Sequence, residues 1–324
     1  MRAVRIHELT GPAGLRLDVD VPEPVVSSGH VLIDVKAAGV NFPDILMTKG
    51  MYQFKPTPPF SPGGEVSGIV RAVGAGVTSV AVGDRVAATM MSGGFAEVVA
   101  VPEPSVVKLP DGVSFEIGAA TLLTYATTLH ALADRAALAK GETLLVLGAA
   151  GGVGIAAVEL GVLMGAKVIA AASSDDKLAF CREHGASEGI NYSSEDLKDR
   201  LKVLTKGGAN VIYDPVGGSL AEAALRGIAW EGRYLVVGFA SGDIPKIPLN
   251  LVLLKGCQIV GVFWGSFAMR EPQKNRAHAH QIFEWIATGS LHPSVDAVLP
   301  FSEASEALSR LDRRQVKGKL VLVP

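Results

Sequence analysis

Thr143 to Gly154 reads TLLVLGAAGGVG and runs directly into IAAVELGVLMGA. A short β-rich run stops at a cluster of glycines, and an apolar pattern with helical spacing starts at once. Such a strand–turn–helix unit suits a pyrophosphate. Its glycines allow a tight turn and close backbone approach, and the helix N-terminus offers free N–H groups. The spacing is Ala149-x-Gly151-x-x-Gly154, so alanine replaces the first glycine of the usual pattern.

Beyond the turn, strand and helix patterns alternate. VIAAA (168–172) is followed by a helix expected from about Asp175 to His184, closed by Gly185. Gly189 to Tyr192 reads as a short third strand before the helical EDLKDRLKVL (195–204). VIYD (211–214), a helix LAEAALRGI (220–228), RYLVVG (233–238) and QIVGVF (258–263) bring the count to six strands. Alternation of this kind predicts an α/β unit with a parallel, doubly wound sheet, because right-handed crossovers place helices on both faces.

Upstream the period is different. Residues 1 to about 120 carry short valine- and isoleucine-rich runs, VLIDVKAAGV (31–40), EVSGIVRAVG (65–74), DRVAATM (84–90) and AEVVAVP (96–102), separated by proline-marked loops. Glu116 to Leu138 then shows helical spacing, with Ser114 as the expected N-cap. Downstream, helices are expected at about Arg276–Thr288 and Glu303–Leu311. The closing strand KLVLVP most simply rejoins the N-terminal β-rich domain.

Composition narrows the function classes. The chain is 48% hydrophobic and 19% charged with a net charge of −2, which gives no electrostatic reason to propose nucleic acid or an anionic membrane as partner. Cys181 and Cys257 are the only cysteines, too few for a secreted disulfide framework. No signal-like segment precedes MRAVRIHEL, and no apolar run asks for a membrane span, so a cytoplasmic protein is expected.

The end of the second strand distinguishes the two nicotinamide cofactors. An acidic residue there suits a free ribose 2′-hydroxyl, whereas a 2′-phosphate needs hydroxyl and cationic groups. Here Ser173-Ser174 and Lys177 favour NADPH, while Asp175 and Asp176 fit the dipole of a helix capped by Ser174.

A β-rich domain before a dinucleotide fold suggests the medium-chain dehydrogenase/reductase superfamily, whose zinc alcohol dehydrogenases carry early cysteine and Gly-His-Glu motifs. This chain has Asn41-Phe42-Pro43-Asp44 and Gly63-Gly64-Glu65 at those places, and no cysteine before Cys181. A zinc site needs three or four N or S ligands, and none can be assembled; the pairs Cys181/His184 and His278/His280 are insufficient.

These residues resemble the zinc-independent quinone oxidoreductase (zeta-crystallin-like) family of that superfamily, over essentially the whole chain. The likeness is carried by NFPDILMTKGMY (41–52), PGGEVSGIV (62–70), VGDRVAA (82–88), GAAGGVG (148–154), INYSSED (190–196), VIYDPVGG (211–218), VVGFASG (236–242) and KGKLVLVP (317–324). Glu159 stands where the family usually has Gln, and Val162 where it has Lys or Arg. The resemblance implies a GroES-like catalytic domain (1–122 and 265–324) and a Rossmann dinucleotide-binding domain (123–264). It implies that Thr127 meets the nicotinamide carboxamide and that Ala150, Gly151, Gly152 and Val153 line the pyrophosphate. Ser174, Lys177 and Tyr192 would surround the 2′-phosphate with Arg314 closing that site, and Phe239 and Ala240 would lie beside the nicotinamide.

Hydride transfer to a quinone develops negative charge on oxygen, so a donor and a flat apolar cleft are needed. Asn41 and Tyr52 are the expected polar catalytic residues, Asn41 also touching the cofactor, with Phe42, Met51, Phe263 and Trp264 as walls. Many relatives carry a tyrosine where this chain has Leu46, and Asp44 reads equally as a structural loop residue. Reduction of an activated C=C bond in an enal, enone or enoyl thioester is the alternative chemistry. A non-catalytic NADPH-binding, crystallin-like protein is the alternative class. The strand 258–263 would be an apolar sheet edge, and pairing it across a two-fold axis predicts a homodimer.

Overall fold

The computed structural model describes residues 1–324. They form two compact units: Met1–Leu123 with Arg270–Gly289 and Pro293–Pro324, and Thr124–Met269 with Ser290–His292.

Up to Leu123 the strands are β1 (Ala3–Ile6), β2 (Leu15–Asp18), β3 (His30–Val40), β4 (Glu65–Val73), β5 (Arg85–Thr89), β6 (Val98–Pro102) and β7 (Val106–Lys108), with helices α1 (Phe42–Thr48) and α2 (Phe115–Thr121). The second unit contains α3 (Thr127–Leu129), β8 (Thr143–Leu147), α4 (Gly152–Leu163), β9 (Lys167–Ala172), α5 (Asp175–Glu183) and β10 (Glu188–Asn191). It continues with α6 (Leu197–Leu204), β11 (Ala209–Asp214), α7 (Ser219–Arg226), β12 (Ile228–Val236), α8 (Leu249–Lys255), β13 (Gln258–Gly261) and α9 (Trp264–Arg270). Then come α10 (Pro272–Ala287), β14 (Val295–Pro300), α11 (Ala304–Asp312) and β15 (Lys319–Val323).

The first unit is built on a seven-stranded sheet in the order β14-β15-β3-β4-β5-β7, with β6 also on β3, beside a separate β1–β2 hairpin. The long strand β3 organises it. One edge pairs with β4, while the other is shared by β6 along His30–Asp34 and by β15 along Ala38–Val40. Gly39 is required where β3 passes α2, because a Cβ there would lie 2.0 Å from the Ala119 carbonyl oxygen. Ile6, Ile33, Ile45 and Phe95 are fully shielded in this unit's core. Burial of each such side chain contributes roughly 1.5–3 kcal/mol.

The second unit holds the expected parallel sheet, in the order β10-β9-β8-β11-β12-β13, with every neighbouring pair parallel. Helices on both faces explain why β8 and β9 read as continuous apolar runs rather than alternating ones. Leu144 to Leu147 are all fully buried.

Several boundaries differ from the sequence expectation. The helix expected over 116–138 starts as foreseen, the Ser114 hydroxyl accepting from Ile117 N, but widens to i→i+5 turns at Leu122–Ala126 and His130–Arg135. One cause is a contact distant in sequence: Leu123 N donates to the Glu65 carboxylate at 2.9 Å, drawing this peptide out of the regular ladder. Asn41–Asp44, expected in a loop, opens α1. The helix expected from Arg276 begins at Pro272, a residue suited to a first helical position. The sheet edge ends at Gly261, so Phe263 lies beyond it and Trp264 starts α9. Strand β14 escaped notice because it is half exposed and interrupted by Asp296.

Candidate active site

In the second unit the glycine turn leaves β8 at Gly148, whose φ of 58° lies in the left-handed region. Ala149 N donates to Ala171 O, fastening the turn to β9, and Gly151 N donates to Gly148 O. Ala149 is buried, and its φ lies outside the left-handed region that would call for glycine. Two glycines have separable roles. A Cβ at Gly154 would lie 2.3 Å from Gly148 O, so this glycine is needed for helix α4 to pack on the strand. A Cβ at Gly151 would meet only Gly148 O, at 3.4 Å. The protein's own packing leaves that space open. No side chain caps the N-terminus of α4, so its first N–H groups remain available to an anion.

At the end of β9, Lys177 Nζ reaches the Ser173 hydroxyl at 3.4 Å, while the Ser174 hydroxyl caps α5 by accepting from Lys177 N. Tyr192 N donates to Ala172 O and Ser193 Oγ to Ser173 O, placing the start of the next loop beside both serines. Asp175 accepts from the Asn191 amide at 2.9 Å, so its carboxylate is turned to the loop. Ser173, Ser174 and Lys177 therefore meet at one corner of the sheet, with the Tyr192 backbone beside them and its ring packed against the unit's core. Ser173 was visible as a hydroxyl beside Ser174, but its proximity to Lys177 depends on the strand's end geometry.

Farther along the same sheet edge, Asp214 accepts from Val216 N, Gly217 N and the Tyr234 hydroxyl, shaping the loop after β11. Ala240 N donates to Pro215 O and Gly242 N to Phe239 O, which fixes the two residues expected beside the nicotinamide. Thr127 is half-buried between buried neighbours. Beside it, the Thr128 hydroxyl bonds Thr124 O and the Tyr213 hydroxyl.

The first unit carries its own polar cluster. Asn41 caps α1, its backbone N–H donating to Asp44 at 2.8 Å, and Asp44 also accepts from Gly63 N at 3.0 Å. Burial outweighs both bonds and pushes the Asp44 carboxyl up to about 7. The Asn41 amide donates to Gly39 O and Glu65, and its oxygen accepts from Lys319 Nζ at 2.5 Å. Lys319 also donates to Val40 O at 2.9 Å and lies 3.3 Å from Glu65. The sequence-expected donor Asn41 is thus 4% exposed, with both ends of its amide engaged inside the unit. Tyr52 is half-buried against the core, and burial, then the charge of Asp44, raises its hydroxyl above the ordinary phenol value. Of the expected walls, Phe42 is partly buried while Met51 and Phe263 are largely exposed. Arg314 is exposed just past α11, with a left-handed φ of 59°.

Lys319 was not singled out in the sequence. Its only signal there is a lysine opening an otherwise apolar strand behind a glycine.

Residues 27–111 match the alcohol dehydrogenase GroES-like domain, and residues 152–282 match a family described as zinc-binding dehydrogenase. The chain is 40% identical to a quinone oxidoreductase-like protein 2 homolog of Nematostella vectensis over 99% of its own length and 88% of that protein. It is 32% identical to a human quinone oxidoreductase, covering 100% and 98%. Among solved structures, a quinone oxidoreductase of Pseudomonas syringae pv. tomato matches with a TM-score of 0.92 at 34% identity, covering 100% of this chain and 99% of that one. The Escherichia coli quinone oxidoreductase complexed with NADPH matches with a TM-score of 0.93 at 28% identity, both chains covered completely. The zinc in the second family's description finds no donor set here: no group of three or more His, Cys, Asp or Glu side chains is arranged to hold a metal ion. Glu65 is taken by Lys319, Asn41 and Leu123 N; His184 is paired with Glu159; and burial pushes the Cys181 thiol up to about 12.

Proposed function

The chain belongs to the zeta-crystallin-like quinone oxidoreductase family of the medium-chain dehydrogenase/reductase superfamily, and from that membership we propose that it is a zinc-independent, NADPH-dependent quinone oxidoreductase. The observation that carries the reading is the corner formed by Ser173, Ser174 and Lys177, with the Tyr192 backbone next to it, beside the uncapped turn of α4. A cation with two hydroxyls suits a 2′-phosphate, and the space at Gly151 suits a pyrophosphate. Relatives of the same fold support the cofactor, one of them having been solved with NADPH.

Bound there, NADPH supplies the hydride, and the protein contributes orientation and electrostatics. Ala150, Gly151, Gly152 and Val153 would hold the pyrophosphate at the head of α4, with Thr127, Phe239 and Ala240 toward the nicotinamide. The acceptor is a small quinone or related conjugated carbonyl. Tyr52 is the donor to its developing oxyanion: a phenol is protonated at neutral pH, and burial with the nearby charge of Asp44 holds this one above the ordinary value. Asn41 serves the site by holding Lys319 and Glu65 in place rather than by offering a free amide.

Strand β13 forms an outer edge of its sheet with Ile259 partly exposed, which supports a homodimer paired along that strand. No helix is long and apolar enough to cross a membrane. The unpaired thiols of Cys181 and Cys257 fit a cytoplasmic setting.

The test is NADPH oxidation by the purified protein with benzoquinone, phenanthrenequinone, acrolein and crotonyl-CoA in parallel. Turnover with the quinones is expected. Turnover confined to acrolein or crotonyl-CoA would reassign the enzyme to C=C reduction, and binding of NADPH without turnover of any acceptor would refute catalysis.

A further inference from the structure

Helix α4 is apolar along its length except for Glu159, which is only 8% exposed. A carboxylate buried that deeply is tolerated only when its oxygens are satisfied. Glu159 meets that condition with donors from three other segments. Oε2 accepts the Tyr125 hydroxyl at 2.7 Å and the His292 backbone N–H at 3.4 Å, and Oε1 accepts from His184 Nδ1 at 2.6 Å. The His184 ring is in turn held edge-on to Phe180 at 4.7 Å. The Tyr125 hydroxyl and the His292 N–H both donate here, and an acceptor-only carboxylate assigns the proton of His184 to Nδ1.

Tyr125 is the partner with a consequence for the cofactor. It is 1% exposed and sits in the widened turn Leu122–Ala126, two residues before Thr127. A widened turn shifts the side chains that follow it around the helix axis, so side-chain bonds made within it bear on where the next residues lie. Two ties are present in this unit. Tyr125 is held by Glu159 on α4, and Thr128 is held by Tyr213 on β11 at 2.9 Å. Thr127, half-buried, lies between Tyr125 and Thr128 in sequence.

We propose that Glu159 is a positioning residue for the nicotinamide end of the dinucleotide: by holding the Tyr125 hydroxyl it fixes the turn that presents Thr127 to the same helix that carries the pyrophosphate turn. The inference rests on the NADPH reading above and deepens it. It assigns a role to a residue that departs from the family's usual glutamine. The adenine half of the cofactor, at Ser174 and Lys177, is served by other bonds and does not depend on this tie.

The test compares two probes, NADPH and adenosine 2′,5′-bisphosphate, which lacks the nicotinamide half. Their dissociation constants are measured by calorimetry for the unsubstituted protein, Glu159→Leu, Glu159→Gln and Tyr125→Phe. Glu159→Leu and Tyr125→Phe are expected to weaken NADPH about tenfold while changing the bisphosphate less than about twofold. Glu159→Gln keeps an oxygen for the Tyr125 hydroxyl and is expected to restore NADPH affinity to within about threefold. Equal losses for both probes, or a lowered melting temperature with neither affinity changed, would assign Glu159 a purely structural role and overturn the proposal. If the unsubstituted protein binds neither probe, the cofactor reading falls and the inference with it.

Discussion

Lys319 and Glu65 form a salt bridge at 3.3 Å with side chains 4% and 0% exposed, across 254 residues of sequence. Lys319→Met would leave Glu65 buried without its counter-charge. A loss of about 3–5 kcal/mol is expected, read from urea unfolding. Glu65→Gln, which keeps an acceptor for Leu123 N, should cost less. A Lys319→Met protein as stable as the parent would show that the bridge contributes nothing.

Asp44 makes stability pH-dependent in an unusual direction. Its folded-state value of about 7 lies above the ordinary aspartate value of 3.8, with burial the dominant cause. The neutral form is therefore favoured by folding: the contribution is full below the unfolded value, falls as pH rises, and is lost above the folded one. Between these values it declines by up to about 1.4 kcal/mol per pH unit. Asp44→Asn should be less stable at low pH, having one oxygen for two backbone donors, but its unfolding free energy should lose this slope. Parallel stability curves for the two proteins from pH 5 to 8 would contradict the raised value.

The two glycines of the turn should separate folding from binding. Gly154→Ala forces a methyl onto Gly148 O and should lower both the melting temperature and NADPH affinity. Gly151→Ala meets only an ordinary contact and should fold normally, yet bind NADPH at least tenfold more weakly, because the methyl takes the space left for the pyrophosphate. Unchanged affinity in Gly151→Ala would move the phosphate elsewhere.

Lys177→Ala should raise KM for NADPH by about tenfold or more and leave KM for NADH nearly unchanged, since only the former carries a 2′-phosphate. The discrimination should shrink at high salt, as expected of a partly exposed ion pair. Equal effects on both cofactors would remove Lys177 from that role.

Tyr52→Phe should lower kcat with little change in KM for NADPH, and more for a C=C acceptor, which needs a carbon-bound proton, than for a quinone, whose reduced anion takes its proton from water. The same rate with every acceptor would exclude Tyr52 from the chemistry.

The parallel sheet was legible because the switch from alternating to strand–helix patterning is a local signal repeated six times along the chain. Ser173, Ser174 and Lys177 were legible for the same reason: they sit within a few residues of a recognisable strand end. What could not be read depends on contacts distant in sequence. The widened turn after α2 arises from Glu65 capturing Leu123 N across 58 residues. The engagement of the Asn41 amide depends on Lys319 arriving from β15. Asp44 was open to a structural reading, and its two backbone partners favour it. Glu159 was noticed only as a substitution, since its three donors come from separate segments.

The sharing of one edge of β3 between β6 and β15 also sets an order of assembly during synthesis. The second unit links each strand of its sheet to neighbours through short crossovers, so that sheet can close as soon as β13 has left the ribosome. The first unit cannot, because the Lys319 ammonium reaches Val40 O across 279 residues. Until then β3 has an unpaired stretch at Ala38–Val40, and Glu65 lacks its cation. The nascent protein therefore acquires the parallel sheet of its second unit before the sheet of its first is complete, and the bare edge of β3 is the surface a chaperone would have most reason to cover.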